Sequence, residues 1–327
     1  MARPDKPPVV TVLTAPGEPE PPGLNALRAR AEVRFASDED SLRATLPGTQ
    51  VMMVTDFRTE ALVAAWPEAD QLEWIHATSA GVDALMFPAL IDGPVKVTNA
   101  RGIFDRTIAE YVLCTILMFA KDFPHSIRLQ LEHRWEHRDT ERAEGKRVLI
   151  VGAGSIGRQI ARLVGAIGLV PHGIARSARS DDPDFEAVHG NDELFDQLAL
   201  ADYVVIAAPL TPQTEGLFDS RAFEAMKSTA RLINIGRGPV VNTADLLDAL
   251  NYHMIAGAAL DVFEEEPLPS DHPLWAMENV IMTAHMSGDF IGWRRALTDQ
   301  FLDNFDRWQA GDALFNEVDK RLGYAAK

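Results

Sequence analysis

Cysteine is nearly missing from this chain. Cys114 is the single one among 327 residues, so no intramolecular disulfide can form, and that usage fits a reducing cytoplasm. Long apolar runs are missing as well. The longest of note covers residues 111–120, about half of the roughly 20 residues a membrane-spanning helix needs. Its apolar setting predicts that Cys114 is a packed thiol on a buried helix and not a nucleophile. Residues 1–8 carry no apolar stretch of the kind a secretory leader has. Positive charge is scarce: 31 Lys and Arg stand against 48 Asp and Glu, a formal net charge of −17. Nucleic-acid binding needs clustered cations to neutralise phosphate, so that class of partner is excluded. No group of His and Cys has the spacing of metal ligands, and no metal is expected.

What is present is an ordinary globular composition, 46% hydrophobic and 24% charged, on a chain too long for one core. Two domains are expected. A first series of β-rich runs lies at 9–14, 33–36, 51–55, 74–78 and 95–98, with helices such as 23–31 and 59–65 between them. Short strands alternating with helices imply a parallel sheet with crossovers. Helices follow over 105–123 and 126–138. A second series then has strands at 148–151, 170–174, 203–207, 231–235, 257–261 and 280–283. The tail places Leu297, Phe301, Phe305 and Trp308 on one side of an amphipathic helix, which is expected to return to the first domain. The expected division is therefore 1–104 and 294–327 for a discontinuous substrate domain, with a dinucleotide domain, 105–293, inserted in it. The fold class is α/β, with two Rossmann-like parallel sheets, the discontinuous one flavodoxin-like, and the active site is expected in the cleft between the domains.

The most informative stretch is an apolar strand ending in Gly-x-Gly-x-x-Gly, with Gly152, Gly154 and Gly157. In such a turn the first glycine permits the sharp reversal and the second lets the backbone approach a pyrophosphate. The third lets the following helix pack on the strand. The N–H groups and dipole at the helix start hold the phosphate charge. NAD-specific domains place an acid about 20 residues further on to bind the ribose hydroxyls. Here that position holds Arg176, Ser177 and Arg179 instead. Guanidiniums pair with a 2′-phosphate that a carboxylate would repel, so NADP(H) is expected over NAD(H). The alternative is a solvated basic loop whose arginines offset Asp181 and Asp182.

Three later strands end in polar groups: Arg237 between two glycines, the acidic run 264–266 after Asp261, and His285. Ligands of open α/β sheets bind beyond the carboxyl ends of the strands, so the three converge there. Together they are the kit for reducing a 2-oxo acid. Arginine grips the carboxylate, and histidine gives a proton to the carbonyl oxygen as hydride arrives. A neighbouring carboxylate fixes the ring and favours its charged form.

These motifs resemble the D-isomer-specific 2-hydroxyacid dehydrogenases, in their glyoxylate/hydroxypyruvate reductase-like branch. The resemblance runs over nearly the whole chain. It includes Thr-Ser-Ala-Gly-Val-Asp at 78–83, the glycine turn, Pro-Leu-Thr-Pro-Gln-Thr at 209–214, Asn-Ile-Gly-Arg-Gly at 234–238, Asp-Val-Phe-Glu-Glu-Glu-Pro at 261–267, and His285 with Gly288. It implies Arg237 as substrate clamp, Glu266 as the partner of the histidine and His285 as proton donor. Asp261 would hold the nicotinamide carboxamide, and the N–H groups of Ala80 and Gly81 the substrate carboxylate. Ser155 and Ile156 would lie on the pyrophosphate, with Ala208, Pro209, Ile235, Gly236 and Gly288 lining the cofactor cleft. Ala284 departs from the family, which commonly has proline before the histidine.

The resemblance implies a dehydrogenase that reduces a small 2-oxo acid such as glyoxylate or hydroxypyruvate to the D-2-hydroxy acid. The alternatives are a larger oxo acid such as phenylpyruvate, with Met52, Met53, Trp135 and Trp293 near the pocket, or a nucleotide-sensing, corepressor-like protein on the same fold. His76, near the 78–83 motif, is expected to be a core or rim residue. A homodimer through the long helices after Asp105 is expected. Trp135 then either reaches the partner's active site or packs at the interface.

Overall fold

The structure, a computed structural model, describes residues 6–55 and 59–325. The chain divides into two compact units: one holds it up to Ile103 and again from Phe290, the other covers Phe104–Asp289. The second boundary thus precedes Phe290, whereas the sequence reading put it before Arg294.

The first unit opens with β1 (Val9–Leu13), α1 (Asn25–Arg28), β2 (Glu32–Ala36), α2 (Glu39–Thr45), β3 (Val51–Val54), α3 (Glu60–Ala65), β4 (Trp74–Ala77), α4 (Pro88–Asp92) and β5 (Lys96–Thr98). Its sheet runs β2-β1-β3-β4-β5, every pairing parallel. That 2-1-3-4-5 order is the flavodoxin-like one. Side chains alternate between the two faces of each strand, and both faces are covered. Met52 and Met53 are therefore 0% and 1% exposed, in the two separate cores of the unit. The expectation that they line a pocket is corrected: they are core. His76 on β4 is fully buried, with Nδ1 2.8 Å from Thr98 Oγ1, which also accepts from Trp74 Nε1 at 2.8 Å. Among the described residues its Nε2 has no partner. Burial pushes its pKa down to about 3, so it is a neutral core histidine.

The second unit contains α5 (Asp105–Ala120), α6 (Phe123–Leu131), β6 (Arg147–Val151), α7 (Ser155–Ala166), β7 (Val170–Ile174), β8 (Ala187–His189), α8 (Leu194–Leu198), β9 (Tyr203–Ile206), α9 (Ser220–Ala225), β10 (Arg231–Asn234), α10 (Thr243–Asn251), β11 (Gly257–Leu260) and β12 (Val280–Met282). The sheet runs β12-β11-β10-β9-β6-β7-β8, again all parallel. The order reverses at β6, the strand that feeds the glycine turn, which is where such sheets bind ligands. One strand, β8, has no counterpart in the sequence reading. It is three residues long, lies at the sheet edge and buries only Val188.

The long helices differ in extent from expectation. Asp122, with a left-handed φ of 49°, ends α5 early, and Pro124 starts α6 afresh. Helix α6 stops at Leu131, before a charged, irregular run. On α5 the buried stripe is Ile108, Val112, Thr115, Ile116 and Ala120. Cys114 lies on the other side of that helix and is exposed, which corrects the packed-thiol expectation. Among the described residues no helix is long and apolar enough to cross a membrane.

Helix α11 (Trp293–Ala310) completes the first unit. Leu297, Phe301, Phe305 and Trp308 are all buried, and Phe301 stacks on Trp74 with ring centroids 5.4 Å apart.

Candidate active site

The glycine turn leaves β6 with the Gly152 N–H on the Ile174 carbonyl at 3.0 Å. At its φ of +112° a side-chain carbon on Gly152 would stand 2.6 Å from the Ala207 carbonyl oxygen, so only glycine fits. On Gly157 such a carbon would lie 2.1 Å from the Gly152 carbonyl oxygen, which is why α7 packs so closely on the turn. Gly154, the N-cap of α7, is different: a carbon built there meets nothing within 4 Å. The hydrogen-bond ladder of the helix starts with the Arg158 N–H on the Gly154 carbonyl at 3.0 Å. The N–H groups of Ser155, Ile156 and Gly157 precede it and point along the positive end of the helix. Open space at Gly154, beside three such donors, suits a pyrophosphate, and these residues fit a dinucleotide. The Ser155 hydroxyl itself donates to the Asp105 carboxylate.

Beyond β7, Arg176 and Ser177 are exposed. Arg179 donates from Nε to Asp182 Oδ2 at 2.7 Å, and Arg158 grips the same carboxylate through both terminal nitrogens at 2.7 and 2.8 Å. Burial alone would raise the Asp182 carboxyl, but the two guanidiniums hold it well below the usual carboxylate range. The offset that the sequence offered as the alternative thus exists for Asp182. It is a buried pairing, though: the Asp182 side chain is only 1% exposed.

Past the ends of β10, β11 and β12 lie the other polar groups. Asn234 clamps the turn after β10, accepting from the Gly236 N–H at 3.1 Å and donating to the Arg237 carbonyl at 3.2 Å. Arg237 leaves this turn extended, partly buried, with Nη1 on the Gly236 carbonyl at 2.9 Å. A side chain on Gly238 would lie 1.9 Å from the Phe263 backbone, so the turn sits tightly against the loop after β11. In that loop Glu266 accepts the Phe263 N–H at Oε1, 2.9 Å away, and its Oε2 is 2.7 Å from His285 Nδ1. Burial would raise the Glu266 carboxyl, but His285, the Phe263 N–H and the charge of Arg237 together bring it below its ordinary value. Ionised, it accepts from Nδ1–H and leaves Nε2 as the outward nitrogen. Glu264 and Glu265 are exposed and do not meet the ring.

His285 has a left-handed φ of 50°, and Asp261 holds it there. The Asp261 carbonyl accepts the His285 N–H at 2.8 Å, and its carboxylate accepts the N–H groups of Met286 and Ser287 at 2.9 Å each. Thr283 donates to the same carboxylate at 2.5 Å, so the Tyr111 hydroxyl, 2.8 Å away, must donate to Thr283. Ala208 and Ile235 are buried at the ends of β9 and β10, Pro209 is exposed, and Gly288 packs on Phe104. In the first unit, Ala80 and Gly81 follow β4 in a loop fixed by Asn99 Nδ2 on the Ala80 carbonyl and Ser79 Oγ on the Gly81 carbonyl, each at 2.6 Å.

The chain matches the family model for the D-isomer specific 2-hydroxyacid dehydrogenase, NAD binding domain, over residues 113–287. It is also 30% identical over 251 residues to glyoxylate/hydroxypyruvate reductase A of Arabidopsis thaliana, across 76% of this chain and 78% of that one. The chain belongs to the D-isomer specific 2-hydroxyacid dehydrogenases. This dehydrogenase is thus an oxidoreductase with an NAD(P)-binding domain. Solved structures agree. An NADPH-dependent glyoxylate/hydroxypyruvate reductase from Sinorhizobium meliloti, in complex with NADP and sulfate, superposes with a TM-score of 0.85 at 28% identity, covering 98% of this chain and 100% of that one. A family member from Xanthobacter autotrophicus Py2, in complex with NADPH and MES, gives 0.81 at 32% identity, covering 96% and 99%.

The geometry adds residues that sequence reasoning missed in the dehydrogenase. Tyr111 and Thr283 are 172 positions apart, and nothing in either segment signals their meeting. Arg158 had a visible signal, since it directly follows Gly157, the last glycine of the turn. The pocket role expected of Trp135 has no support within its own unit, where the side chain is fully exposed.

Proposed function

We propose that the enzyme reduces a small 2-oxo acid of the glyoxylate or hydroxypyruvate kind to the D-2-hydroxy acid, with NADPH preferred. The observation that carries this is the 2.7 Å pairing of His285 Nδ1 with Glu266, in a loop whose carboxylate also feels the charge of Arg237. The reduced nicotinamide supplies the hydride. Arg237 binds the substrate carboxylate and polarises the carbonyl, and His285 Nε2 delivers the proton to the carbonyl oxygen. Glu266 keeps the ring oriented and balances its charge while it is protonated. Asp261 holds the His285 loop, and the first-turn N–H groups of α7 bind the pyrophosphate. Arg176, Ser177 and Arg179 favour the 2′-phosphate. Relatives named glyoxylate/hydroxypyruvate reductases, and neighbours solved with NADPH or NADP, support the substrate class and the cofactor.

The enzyme works in the cytoplasm as a homodimer. Support for the dimer comes from Phe123, Ile127 and Leu131, spaced every fourth residue along α6 and 53%, 47% and 77% exposed, with fully exposed Trp135 following. An apolar stripe of that kind is covered in a stable protein.

Initial rates of NADPH and NADH consumption with glyoxylate, hydroxypyruvate, pyruvate and phenylpyruvate test the substrate and cofactor together. Turnover of glyoxylate or hydroxypyruvate with a lower KM for NADPH is expected. Turnover of phenylpyruvate alone would move the substrate class to larger oxo acids. Equal use of both cofactors would remove the phosphate role of the arginines. A monomer in sedimentation equilibrium would remove the dimer.

A further inference from the structure

We propose that Asp182, whose side chain is 1% exposed, sets the preference for a 2′-phosphorylated dinucleotide by fixing Arg179 and Arg158 as a preformed pair of donors. This rests on the NADPH preference proposed above and names the residue that enforces it. Arg179 is pinned twice. Its backbone exchanges two hydrogen bonds with Val188, at 2.8 and 3.0 Å, and its Nε donates to Asp182 Oδ2 at 2.7 Å. That pairing turns Nη2 towards the Ala153 carbonyl, 3.4 Å away in the glycine turn. The guanidinium therefore lies beside the turn that takes the dinucleotide instead of trailing into solvent. Arg158, from the first turns of α7, meets the same carboxylate as a bidentate fork, and the Asp184 N–H adds a fourth donor at 3.1 Å.

The depth of each group shows the direction of the arrangement. The side chains of Asp182 and Asp184 are 1% and 7% exposed, while those of Arg158, Arg179 and Arg162 are 24%, 32% and 58% exposed. Carboxylates lie beneath and guanidiniums above. Arg162 closes the cluster on Asp184 at 2.6 Å. Three cations on two anions leave one positive charge in excess, on the outer side. Each guanidinium has five N–H donors, and Asp182 consumes only one of those on Arg179. A free arginine would lose side-chain entropy when it clamps a phosphate. Here the buried carboxylate has already ordered it, so the benefit goes to ligands that carry the 2′-phosphate and to no others.

Calorimetric titration of the full-length enzyme with adenosine 2′,5′-bisphosphate and with AMP, and with NADPH and NADH, tests this apart from turnover. Asp182→Asn is expected to weaken the two 2′-phosphorylated ligands by about tenfold, equivalent to 1.4 kcal/mol. AMP and NADH should stay within about twofold of wild type. Asp182→Glu, which keeps the charge but displaces it, should fall between. If Asp182→Asn does not fold, Arg179→Lys serves in its place: it retains the charge, lacks the fork, and should lose the same discrimination. Equal weakening of all four ligands would reduce Asp182 to a structural role. Unchanged or tighter binding of the phosphorylated pair would overturn the proposal outright. A wild-type enzyme that binds both classes equally would overturn the cofactor preference itself, and Asp182 with it. Discrimination in wild type that survives in the variants would overturn only the role of Asp182.

Discussion

Glu266 Oε2 stands 2.7 Å from His285 Nδ1, although the two side chains come from loops that follow different strands. The pairing fixes which ring nitrogen can face a substrate. Replacing Glu266 with Gln keeps a hydrogen-bonding group but removes the charge that matches a protonated ring. His285→Asn removes the donor itself. General acid catalysis contributes about 10²–10⁴-fold, so His285→Asn should lower kcat by that order, and Glu266→Gln by less. Dinucleotide affinity should not change in either variant. Steady-state kinetics together with a binding titration checks both, and a full kcat in His285→Asn would exclude the histidine as proton donor.

Tyr111 is joined to His285 by a chain of hydrogen bonds through Thr283 and Asp261. Its hydroxyl, pushed up to about 12 by burial, stays protonated and donates to Thr283, which donates to Asp261. Tyr111→Phe removes one partly buried hydrogen bond, worth about 1 kcal/mol, and loosens the loop that carries the ring. A severalfold lower kcat at an unchanged dinucleotide Kd is expected. A wild-type kcat would mean that Asp261 holds the loop unaided.

Two glycines of one turn should behave differently. Gly157→Ala forces a carbon to 2.1 Å from the Gly152 carbonyl oxygen and should lower the melting temperature, since overpacking costs about 1–3 kcal/mol. Gly154→Ala meets nothing within 4 Å, so it should melt like wild type. It should nevertheless bind NADPH about tenfold more weakly, because the carbon enters the pyrophosphate space. Thermal unfolding and calorimetry on the same two variants separate the roles, and identical behaviour would contradict the division.

Two buried histidines make stability depend on pH. Burial lowers His76 from 6.5 to about 3. His172 is lowered to about 4 by burial, with Arg147 and His189 adding to the effect. Both are neutral in the folded chain and take up a proton on unfolding below pH 6.5. Their contribution is complete above that pH and is lost as pH falls towards the folded values, at about 1.4 kcal/mol per pH unit for each proton. His76→Leu should flatten the fall of the melting temperature between about pH 6.5 and 4. A slope as steep as wild type would place the proton uptake elsewhere.

Much of the molecule could be read from its residues, and what could be read has a common character. The strands feeding the site are short apolar runs that end in glycine or a titratable group, and the face of α11 repeats every three or four residues, so local pattern was enough. What escaped depends on contacts between distant segments or on solvent. Strand β8 buries only Val188 and has no pattern of its own. The sequence puts Met52 and Met53 near a pocket, and only the covering of both sheet faces decides for the core. Cys114 sits in an apolar run yet on the outer side of its helix, a distinction that composition cannot make. Asp182 looked like a surface counter-ion because nothing in its neighbours in sequence tells that its carboxylate is buried.

The first unit draws on both ends of the chain, and this has a consequence for its biosynthesis. Phe301, Phe305 and Trp308 share a core with Val10, Val12 and Trp74. A ribosome adding about 5–20 residues per second needs roughly 10–40 s to travel from the last strand of that sheet to Trp308. Throughout that interval one apolar face of the nascent sheet is covered only by Leu24 and Leu27 of the α1 segment, while the second unit, continuous in sequence, can close first. The last eighteen-residue helix therefore acts as the final stitch, and a chain truncated before α11 should emerge as a client of chaperones instead of a shortened enzyme.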